Sequence, residues 1–294
     1  MEIKGIIYNV DVKHKTISIK FNNHLKFFYF QNNLMKRFKK YLYKGNCITL
    51  VCEDSKEDRG GYSSNQVIYV VEVFVPTKNG KKVLYNKDEL NRSLLSFFES
   101  LEYKMFLDIE MTMPNYSQSN DFIPEIIQAG YFIVDKSGNI VETENFYIRP
   151  TKSYHINKRT RDFLHIDNKT ISKQAVSYYK FYNKFKSVLN KYRPAILTFG
   201  KNDKLFIERS YTINELPSLS FMSRFVNLSQ LIKNFYELRN DPGLFSLYEQ
   251  YTGNPDYQAH DALEDAKVTY TVYQNFIKDI KRNINRKKGA LLRK

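Results

Sequence analysis

Tryptophan is absent from the 294 residues, and cysteine is limited to Cys47 and Cys52. Five apart in one β-like stretch, the two thiols point to opposite faces, so they form neither a disulfide framework nor, alone, a zinc site. No uninterrupted apolar run approaches the roughly 20 residues that a helix needs to cross a bilayer. The start, Met1-Glu2-Ile3-Lys4-Gly5, lacks the basic-then-apolar order of a signal peptide. A soluble, cytoplasmic protein with no membrane partner is expected. What is present is 42% hydrophobic and 15% aromatic residues, enough to bury an ordinary core and to exclude wholesale disorder. The length suits two domains.

Acids are outnumbered, 31 against 46 Lys plus Arg, giving a net charge of +15. The surplus lies at the ends: residues 1–90 carry +7, residues 91–277 carry +1 and residues 278–294 carry +7. A near-neutral centre between basic flanks suits a carboxylate-rich catalytic body with appended ligand-gripping parts. Charge alone leaves the ligand open among nucleic acid, an acidic protein and a lipid surface.

Segments rich in β-branched and aromatic residues recur early: Ile3 to Val10, Thr16 to Phe21, Leu25 to Phe30, Cys47 to Cys52 and Val67 to Val75. In the second, Ile17, Ile19 and Phe21 alternate with Thr16, Ser18 and Lys20, and Asn22-Asn23 supplies a turn. Leu34 to Tyr43 has helical spacing through Leu34, Phe38, Tyr41 and Leu42. The order β-β-β-α-β-β resembles the OB-fold, a small barrel that often binds oligonucleotides. In the inserted helix Lys36, Arg37, Lys39 and Lys40 interleave with Phe38 and Tyr41, the mixture that single-strand binding uses. The same spacing also describes an ordinary amphipathic helix with a buried apolar side. Thr77 to Lys82 reads as a linker, and Asn86 with Glu89 has capping-box spacing for a helix running to about Ser100. A further helix is expected over Ser172 to Tyr192, and its aromatic residues receive no function.

The pattern changes at Lys104. Met105-Phe106-Leu107-Asp108-Ile109-Glu110 is an apolar strand whose end carries acids at i and i+2, hence on one face. Carboxylates held side by side repel unless a cation lies between them, which points to a divalent, oxygen-preferring ion such as Mg²⁺. Taken alone, Asp-x-Glu is equally a solvated strand end. Pro194 to Gly200 is a second short strand, and Asp203 falls in the opening turn of the helix that follows, where an acid commonly serves only the helix dipole. The third segment, His260-Asp261-Ala262-Leu263-Glu264-Asp265-Ala266, is far more specific. Asp261 and Glu264 have the spacing of a cap and its N3 partner, so the helix is expected to begin at Ala262. Inside one helix His260 and Asp265 would diverge by about 140°; with His260 on the preceding loop, both can face one cleft.

These three segments together resemble the DEDDh family of 3′-to-5′ exonucleases. Asp108 and Glu110 match its first motif, Phe199, Gly200 and Asp203 its second, and His260 to Ala266 its third. Pro124 to Gly130 is similar to the branch that holds Eri-type RNA exonucleases and sporulation-linked bacterial relatives. Phe199 stands where that branch often has Trp, and Thr112 to Phe122 departs from the usual residues after the first motif.

The resemblance implies an RNase H-like mixed sheet flanked by helices over 101–280. It implies removal of the 3′ end of nucleic acid, single-stranded RNA being favoured over DNA. It leaves the N-terminal part unexplained, where element order gives a small, mainly-β OB-like domain over 1–76, a linker with a connecting helix over 77–100 following; a basic tail takes 281–294, and the whole is an α/β chain. Phosphodiester cleavage needs an attacking water, a proton acceptor and positive charge on the phosphate, which two metal ions supply, Mg²⁺ or Mn²⁺. The ligands would be Asp108, Glu110 and Asp265, with Asp203 holding the second ion, and His260 would be the general base. Arg286, Lys287 and Lys288 in the tail would add phosphate contacts, or form a merely solvated basic terminus. A DNA exonuclease for repair or proofreading and a catalytically silent nucleic-acid-binding regulator are the alternatives. Retention of every acid and the histidine speaks against silence.

Overall fold

The computed structural model describes residues 1–21, 24–116, 122–152, 156–255 and 260–291, the last six by backbone alone. The expected turn at Asn22-Asn23, residues 117–121 of the loop after the first motif and the side chains of Arg286, Lys287 and Lys288 lie outside the described residues. The chain divides into two compact units, residues 1–95 with 284–294, and residues 96–283.

The first unit opens with strands β1 (Glu2–Asp11), β2 (Thr16–Phe21) and β3 (His24–Tyr29), then helix α1 (Asn32–Phe38) and strands β4 (Cys47–Arg59), β5 (Tyr62–Thr77) and β6 (Gly80–Asn86). Strand β1 pairs antiparallel with β2 and β4, β2 with β3, and β4 with β5, and a parallel pairing of Phe27 to Tyr29 with Ser64 to Gln66 closes the ring. The result is a closed five-stranded barrel with a helix between its third and fourth strands, as the OB-like order implied. Ile7, Ile17, Ile19, Phe28, Ile48 and Leu50 fill it, and α1 adds Met35 and Phe38.

Two local expectations are corrected. Helix α1 ends at Phe38: beyond it Tyr41 donates its N–H to the Phe38 carbonyl, and this turn carries Leu42 into the core without further helix. Residues 77–82 are not a linker. They turn at Gly80 (φ 137°) into β6, where Lys81 and Lys82 pair opposite Pro76 and Val75. Lysines there protect a sheet edge, which reads in sequence like a solvated spacer. Thr16 and Ser18, on the face of β2 opposite Ile17 and Ile19, are buried as well.

Helix α2 (Lys87–Ser100) follows, with Asn86 accepting from the N–H groups of Asp88 and Glu89. The second unit then presents β7 (Tyr103–Met111), β8 (Ile126–Asp135), β9 (Ile140–Tyr147), α3 (Lys158–Leu164), α4 (Asn168–Gln174), α5 (Tyr178–Tyr192), β10 (Ala195–Thr198) and α6 (Asn202–Ile213). Strand β11 (Phe225–Asn227), α7 (Leu228–Tyr236), α8 (Leu244–Thr252) and the long α9 (Ala262–Leu291) complete it. The helix expected over Ser172 to Tyr192 is broken: Val176 is extended and bridges Ile148, and Ser177 caps a fresh start by accepting from Lys180 N–H.

The sheet order is β11-β10-β7-β8-β9, with β10 and β11 parallel to β7, β8 antiparallel to β7, and β9 antiparallel to β8. Alternation along β7 sets its two sides. Met105, Leu107 and Ile109 join Phe181, Phe185 and Leu189 of α5 in the main core. Phe106 faces the other way, packing with Phe132 against Tyr270 and Tyr273 of α9.

Helix α9 reaches the sheet at Gly130, which pairs with Asp108. A Cβ at Gly130 would lie 2.1 Å from the Leu263 backbone nitrogen and 2.4 Å from the Ala262 carbonyl carbon. The neighbouring Ala262 and Ala266 are fully buried. Small residues on both partners therefore bring the first turn of α9 down onto β8, beside the acid-bearing strand. Gly130→Ala is expected to cost about 1–3 kcal/mol of stability through overpacking and to displace α9, measured by urea unfolding together with cleavage rate. Wild-type stability and rate would refute this close approach.

Candidate active site

Asp108 and Glu110 lie near the C-terminal end of β7, on the side that faces α9. Asp203 lies in the first turn of α6, and backbone N–H groups of its own residue and of Ile109 reach its carboxylate. Asp265 lies in the first turn of α9. Two helix N-termini thus point at one strand end, and their partial positive charge favours the acids gathered there. His260 precedes α9 with φ 46°, a left-handed conformation that carries its ring away from the helix axis.

The cap of α9 explains how this arrangement is fixed. One Asp261 oxygen accepts from the N–H groups of Leu263 and Glu264 at 3.1 and 3.2 Å. The other accepts from Gln128 Nε2 at 2.6 Å, tying the helix start to β8. Asp261 therefore has both oxygens engaged in structure. Asp265 differs: it is buried, and its Oδ1 has no hydrogen-bond partner. An orphaned carboxylate oxygen in such a place asks for a cation.

Electrostatics agree. Burial, followed by the nearby charges of Asp203, Glu110 and Asp265, holds the Asp108 carboxyl well above the carboxylate range. Burial and the charge of Asp265 push Glu110 up to about 8. Burial, with Asp261 and Glu264, pushes Asp265 up to about 7, and burial raises Asp203. Such shifts show converging acids that lack a counter-charge. One ligand atom each from Glu110, His260 and Asp265 lie within 4.8 Å of one another. A divalent cation, hard and oxygen-seeking, fits this donor set.

The structure therefore brings together all five residues that the sequence motifs single out. His260 also has neighbours that no motif announces. Its ring lies against Phe163 of α3 at 4.5 Å between centroids, and Phe245 of α8 stands edge-on at 6.3 Å. Burial, and then His165, lower its pKa, which favours the neutral imidazole. Phe163 and Phe245 belong to segments without motif residues, so only the fold shows their place. Around the first motif, Thr112 Oγ1 accepts from Glu125 N–H, and the buried Glu125 carboxylate accepts from Thr151 and Lys152 N–H, which pins the chain that leaves β7.

The basic residues proposed for nucleic acid form a separate set in the first unit. Lys36, Lys39 and Lys40 are exposed, whereas Arg37 is half-buried, its guanidinium over the rings of Phe38 and Tyr85. Phe38 belongs to the barrel core and cannot stack on a base.

A family model described as Exonuclease (RNase_T) matches residues 105–273. A protein of Bacillus subtilis (strain 168) described as the probable 3′-5′ exonuclease KapD is 31% identical over 172 residues, which is 58% of this chain and 82% of the relative. Among solved structures, the nuclease domain of 3′hExo, a DEDDh family member bound to rAMP, superposes with a TM-score of 0.55 at 19% identity, over 61% of this chain and 94% of that one. Cell-death related nuclease 4 gives 0.52 at 20% identity, over 60% and 64%. Given the motif residues, their convergence and these likenesses, the chain belongs to the RNase_T exonuclease family and is a 3′-5′ exonuclease of the divalent-metal-dependent DEDDh type.

Proposed function

We propose that the protein removes nucleotides from the 3′ end of single-stranded nucleic acid, RNA favoured, with Asp108, Glu110, Asp203 and Asp265 holding two divalent ions and His260 as general base. The observation that carries this reading is the convergence of four carboxylates and one neutral imidazole at one strand end. Bound there, Mg²⁺ or Mn²⁺ would supply positive charge to the phosphate oxygens and acidify the attacking water. The chain's own contribution is positional. The Asp261 cap holds the start of α9, and with it Asp265, against β8. Phe163 buttresses the His260 ring, whose free nitrogen takes the proton from water as the phosphorus is attacked. RNA is favoured by the likeness of Pro124 to Gly130 to Eri-type enzymes and by the ribonucleotide bound to 3′hExo.

Lys36, Arg37, Lys39 and Lys40, with Arg286, Lys287 and Lys288, are assigned phosphate contact. No helix among the described residues is long and apolar enough to cross a membrane.

His260→Ala should lower kcat by about 10²- to 10⁴-fold with KM little changed, because proton transfer is a transition-state contribution. Unchanged turnover would remove the histidine from the mechanism. Asp108→Ala should abolish metal-dependent cleavage, and the same label-release assay on RNA and DNA oligomers of one sequence tests the substrate: faster loss of the DNA oligomer would reverse the assignment.

The raised carboxyl pKa values carry a stability consequence. Glu110 and Asp265 titrate higher in the fold than in the unfolded chain, so protonation favours the fold. That contribution is complete below about pH 4 and is lost as pH rises through about 7 and 8. In chelator, Tm should therefore fall between about pH 6 and 9, and Mg²⁺ should raise it more at the upper end, where the acids are ionised. A Tm in chelator that ignores pH across this window would contradict the crowding of charge.

Lys36→Glu with Lys40→Glu should reduce the salt dependence of single-strand affinity, each lost phosphate contact removing about 0.7 from the log–log slope. An unchanged slope would free this helix from any role in binding.

A further inference from the structure

The α9-facing side of β7 reads Lys104, Phe106, Asp108, Glu110, so one strand carries an acidic end and a basic end on a single face. Between them the rings of Phe106, Phe132, Tyr270 and Tyr273 form a packed plug. Asp108 follows Lys104 by four positions, or about 13 Å along a strand at roughly 3.3 Å per residue.

Beside the basic end lies an open groove of about 340 Å³, lined by Lys104, Lys136, Lys278, Tyr270, Gln274 and the turn at Gly138. Lys104 is 93% buried, by its 7% relative exposure, and its ammonium has one hydrogen bond, to the Leu101 carbonyl at 3.2 Å. An ammonium has three donors, so the groove faces a buried cation with hydrogen-bonding capacity left over. The one acid in the lining, Asp135, uses both oxygens on Asn139, through N–H at 2.9 Å and Nδ2 at 3.1 Å. Among the described residues no carboxylate forms an ion pair with Lys104, Lys136 or Lys278. Burial, and next the charge of Lys136, hold the Lys104 pKa below the ordinary lysine range, with Asp135 and Glu102 opposing.

The logic that calls for a cation among the acids applies here with the sign reversed. Like charges converge around a buried member, and a ligand of opposite charge removes the conflict. A bare ion would leave most of the groove empty, since about 300 Å³ is already the scale of small-molecule sites. Tyr270 offers ring surface next to the lysines. We infer that this groove is an anion site remote from the catalytic carboxylates, taking the phosphate of a nucleotide or of a polynucleotide strand through Lys104, Lys136 and Lys278.

The test uses the full chain in chelator, so that the acid cluster holds no metal and nothing is cleaved. Calorimetric titrations with 5′-AMP and with a short single-stranded oligonucleotide lacking terminal phosphates are compared for wild type, Lys136→Ala/Lys278→Ala, Lys104→Met and Asp265→Asn. The two exposed lysines can be removed without disturbing the core, so the double variant remains informative if Lys104→Met fails to fold. Affinity should fall about tenfold or more in the lysine variants and hold or rise in Asp265→Asn. A loss confined to AMP identifies a free nucleotide as the ligand, and a loss confined to the oligonucleotide identifies a strand phosphate. Wild-type affinity of the double variant for both probes would overturn the inference, as would AMP binding that depends on Asp265 alone.

Discussion

Mutual repulsion among Asp108, Glu110, Asp203 and Asp265 is the constraint around which the second unit is built. Left to themselves, four carboxylates would move apart or keep their protons. Here the backbone forbids separation. Two acids share a face of a strand, one is held in the opening turn of α6, and the last rides on a helix that a glycine and two alanines allow to come within contact of β8. The fold carries this local conflict on a large hydrophobic core, in which α5 covers the opposite face of the sheet. A nuclease needs that arrangement, since acids that relaxed apart without their ions would have to be reassembled before each turnover.

Much of this site was legible in the sequence because its parts are short and local. Residues i and i+2 of a strand share a face whatever the tertiary fold, and a cap residue with its N3 partner fixes where a helix begins. Asp108, Glu110, Asp261 and His260 could thus be placed relative to their own elements. What could not be read were contacts that close over long sequence separations. Phe163 against His260, Gln128 against Asp261 and the unpaired oxygen of Asp265 depend on how distant segments pack. The left-handed backbone of His260 leaves no mark either, since histidine is not a residue whose presence announces positive φ.

The first unit shows the opposite balance. Strand order and the inserted helix followed from periodicity, yet the boundaries slipped where polar residues serve structure. Lys81 and Lys82 look like spacer residues and lie on a sheet edge. Phe38, in a helix that reads equally as a stacking surface or as an amphipathic cover, proves to be cover. Composition says which side chains a segment offers, whereas closure of the barrel decides which of them meet solvent.

Strand β7 lies third among five strands, paired with β8 from Tyr103 to Met111 but with β10 only from Lys104 to Phe106. The end that carries Asp108 and Glu110 is therefore laddered on one margin alone. Where β10 stops, the Ile109 N–H turns to the Asp203 carboxylate instead of to a neighbouring strand. An acid thus finishes the sheet at that point, so removing Asp203 should loosen the strand end itself as well as thin the cluster of charge.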